Sequence, residues 1–197
     1  MITGRCIVIL GLLGSMGIGG GAAADSGVTK WASVGAGCVP VQSAITGTTY
    51  KNGGAALTTA TSTTAVVVAC PVQYLGWGDD PNRLNMTCAS APGNGPTIHG
   101  STNASLIQVD KTTAVETTIA TVSCGNTTTP HVVSAPLFMP GSATVPYVFT
   151  EPYWYYVEVV LNPRFGTTSG FGSQQTLYGV ELSVASVILG SPASHGS

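Results

Sequence analysis

The chain has 197 residues, of which only 7% are charged, six basic and eight acidic, for a net charge of −2. Soluble domains usually carry about 25%, and so few scattered cations cannot neutralise a phosphate backbone, which excludes nucleic acid as a partner. Low charge does not mean disorder here, because the mean hydropathy is +0.34 and the apolar residues come in strand-length blocks.

Residues 1–24 read as a secretory signal peptide: one positive charge at Arg5, an apolar run from Cys6 to Ile18, and small residues from Gly19 to Ala24. Cleavage is expected after about Ala24. The apolar run is about 13 residues, too short to span a bilayer, and no later stretch reaches spanning length. The expected product is secreted, extracellular or periplasmic, with no membrane span. Gly35-Ala36-Gly37-Cys38 faintly resembles a lipoprotein processing site, but it lies too far from the apolar run to act as one.

Cys6 leaves with the leader, so Cys38, Cys70, Cys88 and Cys124 remain. An even number in an exported chain reads as two disulfides with three possible connectivities. Sequential pairing, Cys38–Cys70 and Cys88–Cys124, is favoured because each cysteine begins or ends a predicted strand. Each bond would close a loop of about 30 to 36 residues and contribute about 3 to 4 kcal/mol in the chain-entropy model. The close cysteine pairs of a zinc site are missing.

No segment sustains a 3.6-residue apolar period, whereas Val, Thr, Tyr and Ile cluster in short blocks. Ala65 to Cys70 is apolar on both faces and reads as a central strand stopped by Pro71. Arg83 to Cys88 alternates, with Leu84, Met86 and Cys88 inward and Arg83, Asn85 and Thr87 outward. Ser105 to Asp110 and Val115 to Cys124 follow as strands joined by a tight turn, then Ala143 to Phe149. Tyr153 to Leu161 places Tyr153, Tyr155, Val157, Val159 and Leu161 on one face, and Trp154, Tyr156, Glu158 and Val160 on the other. Leu177 to Leu189 places Tyr178, Val180, Leu182 and Val184 inward, with Glu181 and Ser183 outward. Asn162 to Gln175 between these strands is a Gly/Ser/Thr-rich loop. The pattern predicts an all-β fold, an antiparallel β-sandwich of jelly-roll or immunoglobulin-like type, as one domain over 25–190 with a flexible tail over 191–197.

Four short motifs occur in order: Cys38-Val39-Pro40, Cys70-Pro71, Tyr155-Tyr156-Val157-Glu158-Val159 and Leu177-Tyr178-Gly179-Val180-Glu181-Leu182. In these the chain resembles a group of exported bacterial single-domain β-sandwich proteins. The resemblance implies the fold and an envelope or extracellular setting, and brings no activity with it.

Candidate sites are few. Trp154, Tyr156 and Glu158 share a strand face, and aromatic rings beside a carboxylate suit sugar stacking, although a covered sheet face would look the same. Glu158 and Glu181 could form a glycosidase pair if their strands are neighbours; otherwise they are two solvated acids. Asp79, Asp80 and Asn82 in Gly76-Trp77-Gly78-Asp79-Asp80-Pro81-Asn82 offer hard oxygen ligands for a structural Ca²⁺, yet any β-turn selects the same residues. His99, His131 and His195 have no ligand spacing, and no G-x-S-x-G elbow supports a triad. Asn85, Asn103 and Asn126 head N-x-S/T sequons. No catalytic constellation or cofactor motif stands out. The leading expectation is a non-catalytic exported protein, either a self-associating subunit of a surface assembly or an interaction module. A carbohydrate-binding module taking surface polysaccharide on an aromatic sheet face is the alternative, and a glycoside hydrolase-like enzyme comes third. Exposure of Trp154 would favour binding, and an exposed unpaired apolar edge would favour assembly.

Overall fold

The computed structural model describes residues 28–41, 48–51, 55–58, 65–74, 76–91, 100–125, 127–162 and 174–185. The leader at 1–24, the tail at 191–197, most of the loop Asn162–Gln175, and His99, Asn126 and His195 lie outside the described residues. Among the described residues there are eleven strands: β1 (Val28–Val34), β2 (Val39–Pro40), β3 (Thr48–Lys51), β4 (Ala55–Thr58), β5 (Val66–Val72), β6 (Arg83–Ala91), β7 (Ser101–Asp110), β8 (Glu116–Ser123), β9 (His131–Pro136), β10 (Tyr153–Asn162) and β11 (Gln174–Val184). They form two antiparallel sheets, confirming the β-sandwich expected from the sequence. One sheet runs β3-β4-β11-β6-β9, with β1 also paired to β11; the other runs β2-β5-β10-β7-β8. β4 takes Thr176 and Leu177, while β1 takes Gly179 to Val184, so two strands share one edge of β11.

Burial follows the side-chain period of two. Tyr155, Val157, Val159 and Leu161 of β10 point into the core, where they meet Leu84, Met86 and Cys88 of β6 and Leu177, Val180 and Leu182 of β11. Val157, Val159, Leu161, Leu84, Met86 and Leu182 are all 0% exposed. Fully burying a side chain of this kind contributes about 1.5 to 3 kcal/mol relative to leaving it in water, and this apolar layer holds the sheets together.

Both disulfides take the sequential pairing, Cys38–Cys70 and Cys88–Cys124. The second joins β6 of one sheet to the end of β8 in the other. The first pins the short 3-10 turn Gly35–Gly37, which carries the chain from β1 in one sheet to β2 in the other. Two such bonds are compatible with an oxidising, extracellular setting. Among the described residues no helix is long and apolar enough to cross a membrane.

Four expectations need correction. Tyr178 does not point inward. A register shift between Leu177 and Gly179 moves the phase by one residue, so Leu177 is 0% exposed and Tyr178 37%. At this bulge a Cβ on Gly179 would come within 3.0 Å of the Ser33 carbonyl oxygen of β1, so the close approach requires glycine. Ala143 to Phe149 is not a strand. Only an isolated bridge, Phe138 to Pro146, survives there, and the Ser142 hydroxyl accepts the backbone N–H groups of Thr144 and Val145 to shape a turn. Pro71 does not stop its strand, because β2 pairs only with Ala69 and Val68, and the missing N–H of Pro71 falls on an open side. For the same reason β5 lies next to the sheet edge rather than at its centre. Strands β1, β2, β3, β4 and β9 were not anticipated; they are short or lack a clean alternation.

The turn between β7 and β8 is held by Asp110, whose Oδ1 accepts the N–H groups of Thr112 and Thr113 at 2.8 Å each. These bonds hold its carboxyl below the usual carboxylate value. The turn closes on Ala114 at φ +56°, a left-handed conformation that costs a non-glycine residue about 1 to 2 kcal/mol. Replacing Ala114 with Gly removes that strain, partly offset by about 0.4 to 1 kcal/mol of unfolded-state entropy. Thermal melts should therefore rank Ala114→Gly at or above the parent, and Ala114→Val below it by more than about 1 kcal/mol.

Candidate functional site

The strand ends decide where the site lies. β5 and β7 finish, and β8 and β10 begin, at one end of the sandwich. Three connections meet there: the loop from Gln73 to Asn82, the β7–β8 turn, and the turn at Glu151 and Pro152 that leads into β10. They enclose a cleft of about 470 Å³ lined by Val72, Tyr74, Gly76, Lys111, Glu151, Tyr153, Trp154 and Tyr155. That volume falls within the range of about 300 to 1,000 Å³ typical of small-ligand sites.

The floor beneath the cleft is aromatic. Phe149 lies 4.8 Å from Tyr155, 5.1 Å from Tyr147 and 5.2 Å from Trp77, measured between ring centroids. Tyr74 meets Trp77 edge-on at 5.2 Å. Such pairs add about 0.5 to 1.5 kcal/mol each beyond their buried area. The Tyr155 hydroxyl accepts the Thr150 N–H at 3.0 Å, which fixes the turn entering β10. Gly76, at φ +67°, lets the chain reverse between Tyr74 and Trp77. Lys111 fastens the β7–β8 turn to the same place: its backbone N–H donates to the Pro152 carbonyl and its ammonium to the Glu151 carbonyl.

Trp154 also lines the cleft and is 63% exposed. β10 puts Tyr155 into the core, so its predecessor must face out, and the neighbouring β7 offers only Val109 beneath it. Tyr153 and Tyr74 are half-buried beside it, with their rings in the core periphery. Packing among the rings, followed by the charges of Asp80 and Glu151, holds the Tyr74 phenol above its usual value.

Charge gathers at the same end. Asp79, Asp80, Asp110, Glu116 and Glu151 lie in or beside the three connections, five of the eight acidic residues in the chain. Lys30, Arg83 and Lys111 are the bases nearby. Lys30 and Asp79 pair at 3.9 Å, the one ion pair among the described residues, with the Asp79 side chain 84% exposed.

The remaining candidates are placed apart from one another. Tyr156 donates to Glu116 Oε1 at 3.1 Å, from β10 across β7 to β8, and so lies over Ile107, which is 7% exposed. Burial first, then the bond to Glu116 and the charges of Glu116 and Glu158, push its phenol up to about 12. Glu158 lies further along the same face, between Ser105 and Ala69. Glu181 belongs to β11 in the other sheet, so it cannot pair with Glu158 as a glycosidase would require. Its carboxylate instead accepts Asn85 Nδ2 at 2.7 Å, and Ser134 donates to Asn85 Oδ1, forming a polar row on the outer face of that sheet. The same Asn85 amide also donates to Ser183, and Asn85 is 8% exposed, so that sequon is enclosed. Asn82 Oδ1 accepts the Ala185 N–H at 2.8 Å. Among the described residues the one grouping with metal-ligand spacing is Cys88, Cys124 and His131, and both of its sulfurs are in the disulfide.

Sequence reasoning found Trp154 but missed Tyr74, Lys111 and Glu151, which reach the cleft from turns far apart in the chain. The Gly-Trp-Gly sequence and the lone Lys111 in a charge-poor chain were the available signals.

No family model matches the chain, and no curated protein matches it. Among solved structures it is similar to family 29 carbohydrate-binding modules. One, a variant complexed with cellulohexaose, is 10% identical with a TM-score of 0.34, over 80% of this chain and 94% of that one. Another is 10% identical with a TM-score of 0.33, over 76% of this chain and 83% of that one. At these scores the likeness carries no weight for the ligand.

Two phenols are held neutral by the fold. The Tyr147 phenol is raised, by burial and then by the Tyr155 hydroxyl, and Tyr156 is raised to about 12. A raised folded value contributes stability that is complete below the unfolded value of about 10 and is lost as pH climbs through the folded one. The denaturation midpoint should therefore fall between about pH 10 and 12, and Tyr156→Phe should show a smaller fall than the parent.

Proposed function

We propose that this protein is an exported carbohydrate-binding module that holds a short stretch of polysaccharide in the cleft at the start of β10. The observation that carries this reading is Trp154, a large apolar ring left 63% exposed at a cleft also lined by Tyr74, Tyr153 and Tyr155. An indole held open to water can stack against the apolar face of a sugar ring. Glu151 and Lys111 stand at the rim to exchange hydrogen bonds with hydroxyl groups. The proposal shifts the sequence expectation from the flat sheet face to the end of the sandwich. Trp154 is retained, while Tyr156 is engaged with Glu116 and Glu158 lies outside the cleft.

Surface assembly through a sheet edge has less support. β9 ends on Pro136, and β8 opens on Glu116 and is rich in threonine. Proline and charge are residues that blunt edge-to-edge pairing.

The test is binding of the purified, oxidised protein to a panel of immobilised polysaccharides, alongside its mass in solution by light scattering. We expect a monomer that is retained by at least one polysaccharide. Trp154→Ala should abolish retention while moving the melting temperature little, since an exposed side chain contributes little to folding. Retention unchanged in Trp154→Ala, or no retention on any polysaccharide, would overturn the reading.

A further inference from the structure

We infer that Cys88, Cys124 and His131 bind one zinc ion in the folded chain before its cysteines are oxidised, at the junction the disulfide later occupies. A ring nitrogen of His131 and the two sulfurs all lie within 4.8 Å of one another. Strand pairing supplies this spacing, since the three residues are far apart in the chain. Cys88 in β6 stands directly opposite His131 in β9, so both side chains leave the sheet on one face. Cys124 comes from the other sheet, just past β8, where its N–H donates to the Thr102 carbonyl at 2.8 Å. Among the described residues the Cys38–Cys70 pair has no comparable grouping.

The imidazole is held as a ligand would be. His131 Nδ1–H donates to the Thr129 carbonyl at 3.3 Å, and Nδ1 also meets the Thr127 hydroxyl. That tautomer leaves the lone pair on Nε2, which lies beside Gly125, the residue after Cys124. Metal-binding histidines are fixed in this way, through a hydrogen bond at the other ring nitrogen. Thr127 is tied back in turn, its N–H donating to the Gly125 carbonyl and its carbonyl accepting the Ser90 N–H of β6. These main-chain bonds do not require the disulfide, so they keep the ligands grouped when the sulfurs are thiols. Cys88 is 0% and Cys124 8% exposed, whereas His131 is half-buried on the edge strand β9 and gives an ion a way in. A tetrahedral zinc ion, with Zn–S about 2.3 Å and Zn–N about 2.0 Å, sets its ligand atoms about 3.5 to 3.8 Å apart. The group reaches that spacing once the sulfurs part. Binding breaks two S–H bonds, forms two Zn–S bonds and one Zn–N bond, and releases two protons to solvent. Two thiolates and a neutral imidazole cancel the charge of the ion, which lowers the cost of burying it. Water takes the fourth position. The disulfide uses the same sulfurs, so cross-link and ion exclude each other.

The experiment titrates the full chain, reduced with a phosphine that is then removed under inert gas, with Co²⁺ as the spectroscopic probe and Zn²⁺ as its competitor. Near-UV circular dichroism follows the fold throughout. We expect one ion per folded chain, with sulfur-to-cobalt charge-transfer absorption that Zn²⁺ removes, and no such absorption from the oxidised chain. His131→Ala should weaken binding by about tenfold or more, and Thr127→Val should weaken it several-fold. Cys88→Ser should abolish the absorption, and Cys38→Ser should leave it unchanged. His131→Gln keeps a polar side chain of similar length, so it separates loss of a ligand from loss of the fold. No binding by the reduced parent would overturn the inference, as would binding only by a chain that has lost its near-UV signal. Unchanged affinity in both His131 variants, or absorption lost in Cys38→Ser, would also overturn it.

Discussion

The inward face of β10, Tyr155, Val157, Val159 and Leu161, packs against the facing sheet, and this contact sets the terms for the rest of the molecule. Side chains on a strand alternate strictly, so burying these residues leaves Trp154, Tyr156, Glu158 and Val160 on the other side without any choice of their own. What became of each outward residue then depended on its neighbours. Tyr156 found a partner in Glu116 and lay down across the sheet, and Glu158 stayed among small residues. Trp154, at the first turn of the strand, found only Val109 beneath it and remained open to water.

The rigidity of the site comes from the layer below it. Phe149 touches Tyr74, Trp77, Tyr147 and Tyr155, so one ring gathers the β5–β6 loop, the segment before β10 and the strand itself. Hydrogen bonds from the Thr150 N–H to Tyr155 and from Lys111 to Glu151 and Pro152 then tie the turns to this layer. The walls of the cleft are therefore an extension of the core. A ligand entering it would meet groups already ordered, which lowers the entropy lost on binding. The disulfides act at a greater distance, locking the crossover after β1 and the end of β8 so that the two sheets keep their relative position.

Charge tells a complementary story. A chain with 7% charged residues must draw its polar surface mainly from Thr, Ser, Gly and Asn, which hydrogen-bond water without creating strong fields. Against that background the acidic residues at the cleft end are a local departure, and their distribution carries more information than the net charge does. Glu181 illustrates the opposite use of a carboxylate. It is an acceptor within a polar row of Asn85, Ser183 and Ser134, and it orders an outer sheet face.

Much of the architecture was legible in the sequence. Alternation in Arg83 to Cys88 and in Tyr153 to Leu161 depends on a period of two that any strand must obey, and strand boundaries favoured the sequential cysteine pairing among three connectivities. The phase of β11 was not legible, because a bulge adds one residue with no mark in the apolar pattern beyond Gly179. Nor was the separation of Glu158 from Glu181, since both read as outward and only the assignment of their strands to different sheets set them apart. The sequence by itself determined an all-β chain with Trp154 facing away from the core, because burial and side-chain alternation are local consequences of residue order. Only the tertiary structure brought Tyr74, Lys111 and Glu151 to that ring, because which turns meet at the end of a sandwich depends on strand order, and strand order is a property of long-range pairing.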